Sequence, residues 1–410
     1  MSAAQFGGDA AVGVTPSLFN ISQASLLRGG LAFAVLAALL IAAYGLHHSA
    51  EYGANASFSL LIGAALGVVF ERGRFCFFCI LRDGIEYRDT RSIYAILMAL
   101  AVGGIGYALL FGAFLPNAMS GRLPANAHIG PVSWVTFASG LAFGLGMALS
   151  GACISGHLYR LGEGYTRAPI ALFGSLLGFA LGFYTWETLY IESIAAAPNA
   201  WLPASLGYEG ALVLHLLLLG GLALLLLRRI PPAEASSGGQ MTLRRIWNAL
   251  FAGRWNPLVT GALVGLIGIA AYFRVEPLGV TAQLGSISRT VLANQGMLEG
   301  RLPGLDRLAG CATQVIQAIT DNGFLIGGLV LASFAMALLA KRFEISRLTP
   351  GSSLTALLGG VLMGWGAMSA LGCTVGTLLS GISAFALSGW VFGAAVVAGV
   401  WLGIRLRLVH

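Results

Sequence analysis

The chain has 410 residues, of which 57% are hydrophobic and only 10% are charged, and its mean hydropathy is +0.83. So few charged side chains cannot cover the surface of a water-soluble domain of this size, so a soluble protein is excluded. The net charge of +7 would favour nucleic acid as the partner of a soluble protein. Here the arginines cluster at the ends of apolar segments, as the positive-inside rule predicts, and we expect no nucleic-acid partner.

Ten apolar segments follow one another along the chain, and most approach the length of about 20 residues that a helix needs to cross a bilayer. They lie at 30–47, 57–70, 92–113, 131–150, 168–184, 211–229, 258–273, 323–341, 350–369 and 389–404. The first follows a polar stretch without a basic region, so we do not interpret it as a cleaved signal peptide. The sequence therefore predicts an all-α polytopic membrane protein with nine to ten spanning helices.

The connections between these segments differ in charge. Arginines concentrate in 71–92, in the linker 228–256 and near the C-terminus, whereas 185–210 contains glutamates and no lysine or arginine. Placing the basic connections in the cytoplasm puts both chain termini inside and 185–210 outside.

The two halves of the chain share matching glycine patterns. The matching pairs are Gly63/Gly67 with Gly261/Gly265, and Gly144/Gly146 with Gly364/Gly366. Under the charge-derived topology, corresponding segments enter the membrane from opposite sides, which predicts an inverted repeat. The predicted organisation is an N-terminal segment with the first transmembrane helix (1–56), a first repeat (57–229), a cytoplasmic basic linker (230–257) and a second repeat (258–410).

Two of the five cysteines lie in glycine-rich breaks, LSGACISGH (149–157) and SALGCTVGT (369–377). Cys153 and Cys373 are each followed three positions later by a glycine, Gly156 and Gly376. Irregular backbone at membrane depth must face protein or a water-lined cavity. The N-terminal end of a helix that starts there carries partial positive charge suited to an anion. We therefore predict re-entrant half-helices that meet at the midplane and bind the substrate.

A third break, RGRFCFFCILRD (72–83), contains Cys76 and Cys79. Neutral thiols are small, polarisable and weak hydrogen-bond partners, so they suit the passage of a soft sulfur-containing anion; inert packing is the alternative for any single cysteine. C-x-x-C also fits zinc, but the sequence has no second such pair and no two histidines at the H-x₃₋₅-H spacing of zinc sites, so no metal is expected. A membrane thiol-disulfide oxidoreductase using Cys76 and Cys79 remains an alternative, as does a non-catalytic scaffold. The sequence contains no P-loop, so ATP-driven transport by this chain is not expected.

Four further side chains are candidates for a role in or near these breaks. Arg160 and Glu163, in HLYRLGEG, are predicted to form a structural salt bridge that locks the turn after the first break. His157 either contacts an anion or serves as a capping or packing residue. Cys311 lies in the long region 274–322, and its role stays open, with inert packing favoured.

The segments RFCFFCILRD, GACISGHLYRLGEG and MSALGCTVGT resemble the YeeE/YedE family of sulfur-compound transporters. The resemblance implies uptake of thiosulfate or a related inorganic sulfur anion across the bacterial inner membrane, without a cofactor. It also implies that Cys76, Cys153 and Cys373 form a relay along the central path, and that a small TusA-like sulfur-carrier protein acts on the cytoplasmic side. The GHLYRLGEG turn is closer to YedE-type members, so transport of a selenium species is an alternative.

Overall fold

A computed structural model describes residues 23–227, 247, 251, 253–298, 301–305 and 313–408. Within these ranges the chain is helical and contains no β-strand beyond an isolated bridge between Trp201 and Ala386. Residues 1–22 and most of the predicted linker 230–257 lie outside the described residues, and so does Cys311.

The described ranges contain long helices and, between them, shorter ones. They are α1 (Gln23–His47), α2 (Gly53–Gly73), α3 (Phe77–Glu86), α4 (Ile93–Phe114), α5 (Trp134–Ser150), α6 (Ile154–Gly162), α7 (Arg167–Leu189), α8 (Pro203–Leu227), α9 (Pro257–Arg274), α10 (Ala282–Asn294), α11 (Asp321–Leu339), α12 (Pro350–Ser369), α13 (Thr374–Ser383) and α14 (Leu387–Arg405). The shorter helices are α3, α6, α10 and α13. A π-helical turn, Tyr190–Ile194, extends α7.

Ten of the described helical stretches are long and apolar enough to cross a membrane, and each predicted apolar segment falls on one of them. The all-α polytopic prediction is therefore confirmed. Helices α2 and α3 together form one of these ten stretches, and α5 and α6 together form another. The short helices α3 and α6 are therefore not separate crossings.

Local sequence sets where the helices begin. Asn256 accepts the backbone N–H of Leu258 just before Pro257, and Thr349 forms a reciprocal capping box with Ser352. Thr320 accepts the N–H of Gly323 in the same way at the start of α11. Each side chain satisfies a backbone donor that the first helical turn leaves unpaired.

Helices of one half pack on helices of the other. The extensive contacts are α2 with α11, α4 with α9, α5 with α14, α7 with α12, and α5 with α12. Matching α2–α7 in order to α9–α14 pairs α2 with α9 and α4 with α11, so the contact of α2 with α11 corresponds to the contact of α4 with α9. In the same way, the contact of α5 with α14 corresponds to the contact of α7 with α12, and the contact of α5 with α12 corresponds to itself. This is the pairing expected of two halves related by a two-fold axis, and it supports the predicted repeat.

The matched glycines lie at these matched contacts. A Cβ atom added to Gly63 would lie 1.9 Å from the carbonyl oxygen of Leu325 on α11, and one added to Gly261 would lie 2.1 Å from that of Ala95 on α4. Both helix pairs therefore approach at backbone distance, which only glycine permits at those positions. The inverted orientation of the halves stays a prediction.

Candidate functional site

Two short helices begin immediately after a cysteine in the first half. The chain leaves α2 through Arg74, whose φ of 55° is left-handed, and reaches Cys76 in extended conformation before α3. It leaves α5 through Gly151, with φ of 86°, and Cys153 is the extended residue before α6. At 1.5 Å per residue, the 9-residue α6 is about 14 Å long, roughly half of a bilayer core. Both cysteines thus lie at backbone breaks, as predicted.

The thiols of these two cysteines are in contact. The Sγ atoms of Cys76 and Cys153 lie 3.8 Å apart, and both residues are fully buried free thiols. Either sulfur can donate to the other. The structure therefore joins two breaks that the sequence separates by 77 positions.

Gly156 makes room for this thiol pair. A Cβ atom at Gly156 would lie 2.7 Å from the Sγ of Cys76 and 3.4 Å from the Sγ of Cys153. Its backbone N–H donates to the Sγ of Cys153 over 3.3 Å, and the Ser155 hydroxyl lies 3.3 Å from the same sulfur. The first turn of α6 therefore presents hydrogen-bond donors to Cys153.

Cys79, one turn into α3, has a cationic neighbour. The guanidinium of Arg160 donates to the Sγ of Cys79 over 3.0 Å and to the carbonyl of Gly151 over 3.2 Å. It also lies over the rings of Tyr159 and Tyr165. Cys79 is only partly buried, and its thiol lies beside the positive charge of Arg160.

The predicted salt bridge between Arg160 and Glu163 is wrong. Glu163 instead accepts from Arg74 over 2.6 Å, which ties the end of α6 to the turn after α2. Burial raises the pKa of the Glu163 carboxyl, although Arg74 opposes that shift. Arg160 is freed by this arrangement to contact Cys79, a pairing that sequence reasoning missed because the partners are 81 positions apart.

Cys373 occupies the corresponding place in the second half. It is buried and extended, and α13 begins after it. The Thr377 amide donates to the Cys373 carbonyl over 2.8 Å, and the Thr377 hydroxyl donates to the carbonyl of Ala370 over 3.2 Å. Gly376 is buried in the first turn of α13, as the spacing predicted, while the Thr374 hydroxyl has no hydrogen-bond partner among the described residues.

His128 borders the Cys373 break from the loop between α4 and α5. A Cβ atom added to Gly372 would lie 3.5 Å from its ring. Burial lowers the pKa of His128 to about 4, so the ring is neutral at physiological pH.

His157 follows Gly156 in α6. It is fully buried, and neither ring nitrogen has a hydrogen-bond partner among the described residues. A buried imidazole without a partner loses its hydration without compensation, which is a cost that packing residues avoid.

The described residues contain no group of three histidine, cysteine or acidic side chains placed to hold a metal ion. Cys76, Cys153 and Cys373 all belong to one contiguous buried cluster of apolar side chains. The site is therefore composed of thiols, hydroxyls and backbone amides, with the Arg160 guanidinium beside Cys79.

Comparison with known proteins relates most of the chain to transporters. A family described as "Sulphur transport" matches residues 72–402. The thiosulfate transporter TsuA of Escherichia coli (strain K12) is 31% identical over 369 residues, which cover 86% of this chain and 94% of that protein. TsuA of Spirochaeta thermophila is 28% identical over 354 residues, covering 83% and 96%. The probable transporter YedE of E. coli is 28% identical over 173 residues, covering 41% and 40%.

Proposed function

Since the chain belongs to the sulphur transport family and is a multi-pass membrane protein that transports sulfur compounds, we propose that it takes up thiosulfate or a related small inorganic sulfur anion. The observation that carries this proposal is the contact between the Cys76 and Cys153 thiols at two buried helix starts. Two relatives that align over most of their length are named thiosulfate transporters, whereas the probable transporter YedE aligns over less than half of its length. The names of the two relatives that align over most of their length favour thiosulfate as the substrate.

The proposed path runs from Cys373 in the second half, past Cys153 and Cys76, to Cys79 and Arg160. The neutral thiols donate weak hydrogen bonds to the anion, and no covalent bond forms or breaks. Thiols suit this step because they hold a soft sulfur atom moderately, so that the ion can leave as well as enter. The Gly156 amide donates to the sulfur of Cys153, and the Ser155 hydroxyl lies within hydrogen-bond distance of the same sulfur.

Arg160 acts at the inner end of this path in our proposal. A dianion that has passed the neutral thiols meets a fixed positive charge beside the partly exposed thiol of Cys79. The charge draws the anion past the thiol constriction towards the cytoplasm. His157, with both ring nitrogens unpartnered, is the neutral donor that we place beside the thiol pair.

Membrane placement and partner follow from the same proposal. We place the protein in the bacterial inner membrane with both termini in the cytoplasm, since its basic connections then lie inside. A TusA-like sulfur carrier is the proposed cytoplasmic acceptor, and it would approach the face that presents Cys79.

Growth of a bacterial host unable to use other sulfur sources tests this function. Cells that produce the chain should grow on thiosulfate as sole sulfur source, and an equal amount of membrane-inserted Cys153→Ala should not support growth. Parallel cultures on sulfite, and with selenite as the selenium source, separate the substrate classes. Absence of growth on thiosulfate, with the chain present in the membrane and a carrier supplied, would refute the proposal.

The oxidoreductase alternative makes a different prediction. It needs Cys76 and Cys79 to cycle between dithiol and disulfide, so Cys79→Ser alone should abolish activity. In the structure the Cys76 thiol contacts Cys153, and the Cys79 thiol accepts from Arg160. We therefore expect Cys79→Ser to retain part of the uptake that Cys153→Ala loses.

A further inference from the structure

A cavity of about 510 Å³ lies where α3 packs against the last turns of α14. It is lined by Gly84, Ile85, Arg88, Trp401, Ile404 and Arg405. Two guanidinium groups therefore share one cavity with an indole ring and two isoleucines. None of these residues belongs to the thiol path.

The two arginines of this cavity have no acidic partner in the part of the chain that the structure describes. Among the described residues, neither Arg88 nor Arg405 forms an ion pair, although Arg405 lies over the Trp401 ring at 5.4 Å. The two aspartates nearest to Arg88 in sequence bind other arginines. Asp83 accepts from Arg82 over 2.9 Å, and Asp89 accepts from Arg91 over 3.0 Å.

The backbone also holds Arg88 in an uncommon conformation. Its φ of 56° is left-handed, which is unfavourable for a residue with a long side chain. Strain of this kind persists where surrounding structure imposes it, and it is frequent at binding sites. At Arg88 this backbone conformation occurs together with an exposed guanidinium that has no ion-pair partner among the described residues.

An apolar stripe leads away from the cavity along α14. Ala394, Val397 and Trp401 are exposed and fall on one side of the helix, with Arg405 one turn beyond them. Val397 is 41% and Trp401 47% exposed. A ligand that fits both features has an anionic head at the arginines and a hydrocarbon tail along the stripe.

We propose that this cavity binds the headgroup of an anionic phospholipid. Two arginines near a membrane surface match a phosphodiester, since guanidinium forks bind phosphate oxygens in pairs. Tryptophan is common at the level of lipid headgroups, and basic cavities between cytoplasmic helix ends are typical sites for such lipids. Since α3 begins directly after Cys76 and carries Cys79, the lipid would stabilise the helix that positions both thiols.

Native mass spectrometry of the full chain, released from micelles with equal amounts of phosphatidylglycerol and phosphatidylcholine, tests this site. We expect the wild type to retain phosphatidylglycerol selectively. The double variant Arg88→Gln/Arg405→Gln should bind it roughly 30-fold more weakly, because both guanidinium contacts to the phosphodiester inside the cavity are lost. The matched control Arg28→Gln/Arg347→Gln removes the same charge from exposed positions outside the cavity and should bind like the wild type.

Three results would overturn the proposal. One is equal retention of phosphatidylglycerol by the double variant, and another is equal retention of phosphatidylcholine by the wild type. The third is displacement of the lipid by millimolar inorganic phosphate, which would identify a free-anion site instead. If the double variant does not fold, the single variants Arg88→Gln and Arg405→Gln replace it, each with roughly fivefold weaker binding expected.

Discussion

The thiol of Cys76 lies 3.8 Å from the thiol of Cys153, and the Cα of Gly156 is so close that a methyl group there would reach 2.7 Å from the Cys76 sulfur. Three residues from two separate breaks thus form one buried contact. The contact unites α3 and α6, the two short helices of the first half. The transport proposal depends on that geometry.

Gly156→Ala should impair uptake while the protein still inserts. The added methyl group must displace the Cys76 sulfur, at a strain cost of about 1–3 kcal/mol, so uptake should fall roughly tenfold or more. The measurement is the initial rate of labelled thiosulfate uptake, normalised to protein in the membrane. Gly327→Ala is the control, because nothing lies within 4 Å of a Cβ atom at that helical position. Unchanged uptake by Gly156→Ala would mean that the thiol contact is not needed.

Arg160→Gln should slow uptake without loss of folded protein. It removes the charge beside Cys79 and a charge-assisted contact of about 1.5–3 kcal/mol, so the maximal rate should fall roughly tenfold or more. Arg347→Gln, at an exposed position, is the charge-matched control. Rates for wild type and variant would be compared at saturating thiosulfate. Equal maximal uptake rates for wild type and Arg160→Gln would show that Arg160 is not part of the transport path.

Arg74 and Glu163 should be energetically coupled. Their 2.6 Å salt bridge joins the turn after α2 to the end of α6, with side chains 31% and 12% exposed. We expect a double-mutant cycle of Arg74→Gln and Glu163→Gln to give a coupling of about 1 kcal/mol in thermal unfolding. Strictly additive effects would show that the bridge contributes nothing.

His128 should make stability depend on pH. Its pKa falls from 6.5 to about 4 on folding, so between these values the unfolded chain binds a proton that the folded chain does not. The stabilisation is therefore complete above pH 6.5 and is lost as the pH falls towards 4, by up to about 3 kcal/mol. His128→Gln should flatten the melting temperature over this window. An identical pH profile in the variant would contradict the assignment.

The membrane helices could be predicted from sequence because hydropathy is local. Each apolar segment, such as 350–369, coincides with a helix, and proline with a capping threonine fixes the start of α12. The breaks before α6 and α13 were visible for the same reason, since glycine and serine interrupt the apolar pattern around Cys153 and Cys373.

The partners of individual side chains could not be predicted in this way. Arg160 and Glu163 are neighbours in sequence, yet Arg160 contacts Cys79 and Glu163 contacts Arg74, 81 and 89 positions away. The rotation of α6 against α2 and α3 decides these pairs, and no local pattern encodes it. The contact of Cys76 with Cys153 has the same origin: both breaks were recognised, but their meeting depends on packing.

The most direct test of the central claim is labelled thiosulfate uptake into proteoliposomes containing the purified wild type, Cys153→Ala or Cys373→Ala. Each variant loses one thiol and little volume, so folding should be preserved. The account predicts that uptake by each variant falls to background while the wild type accumulates thiosulfate. Wild-type rates in either variant would show that the anion crosses without the thiols.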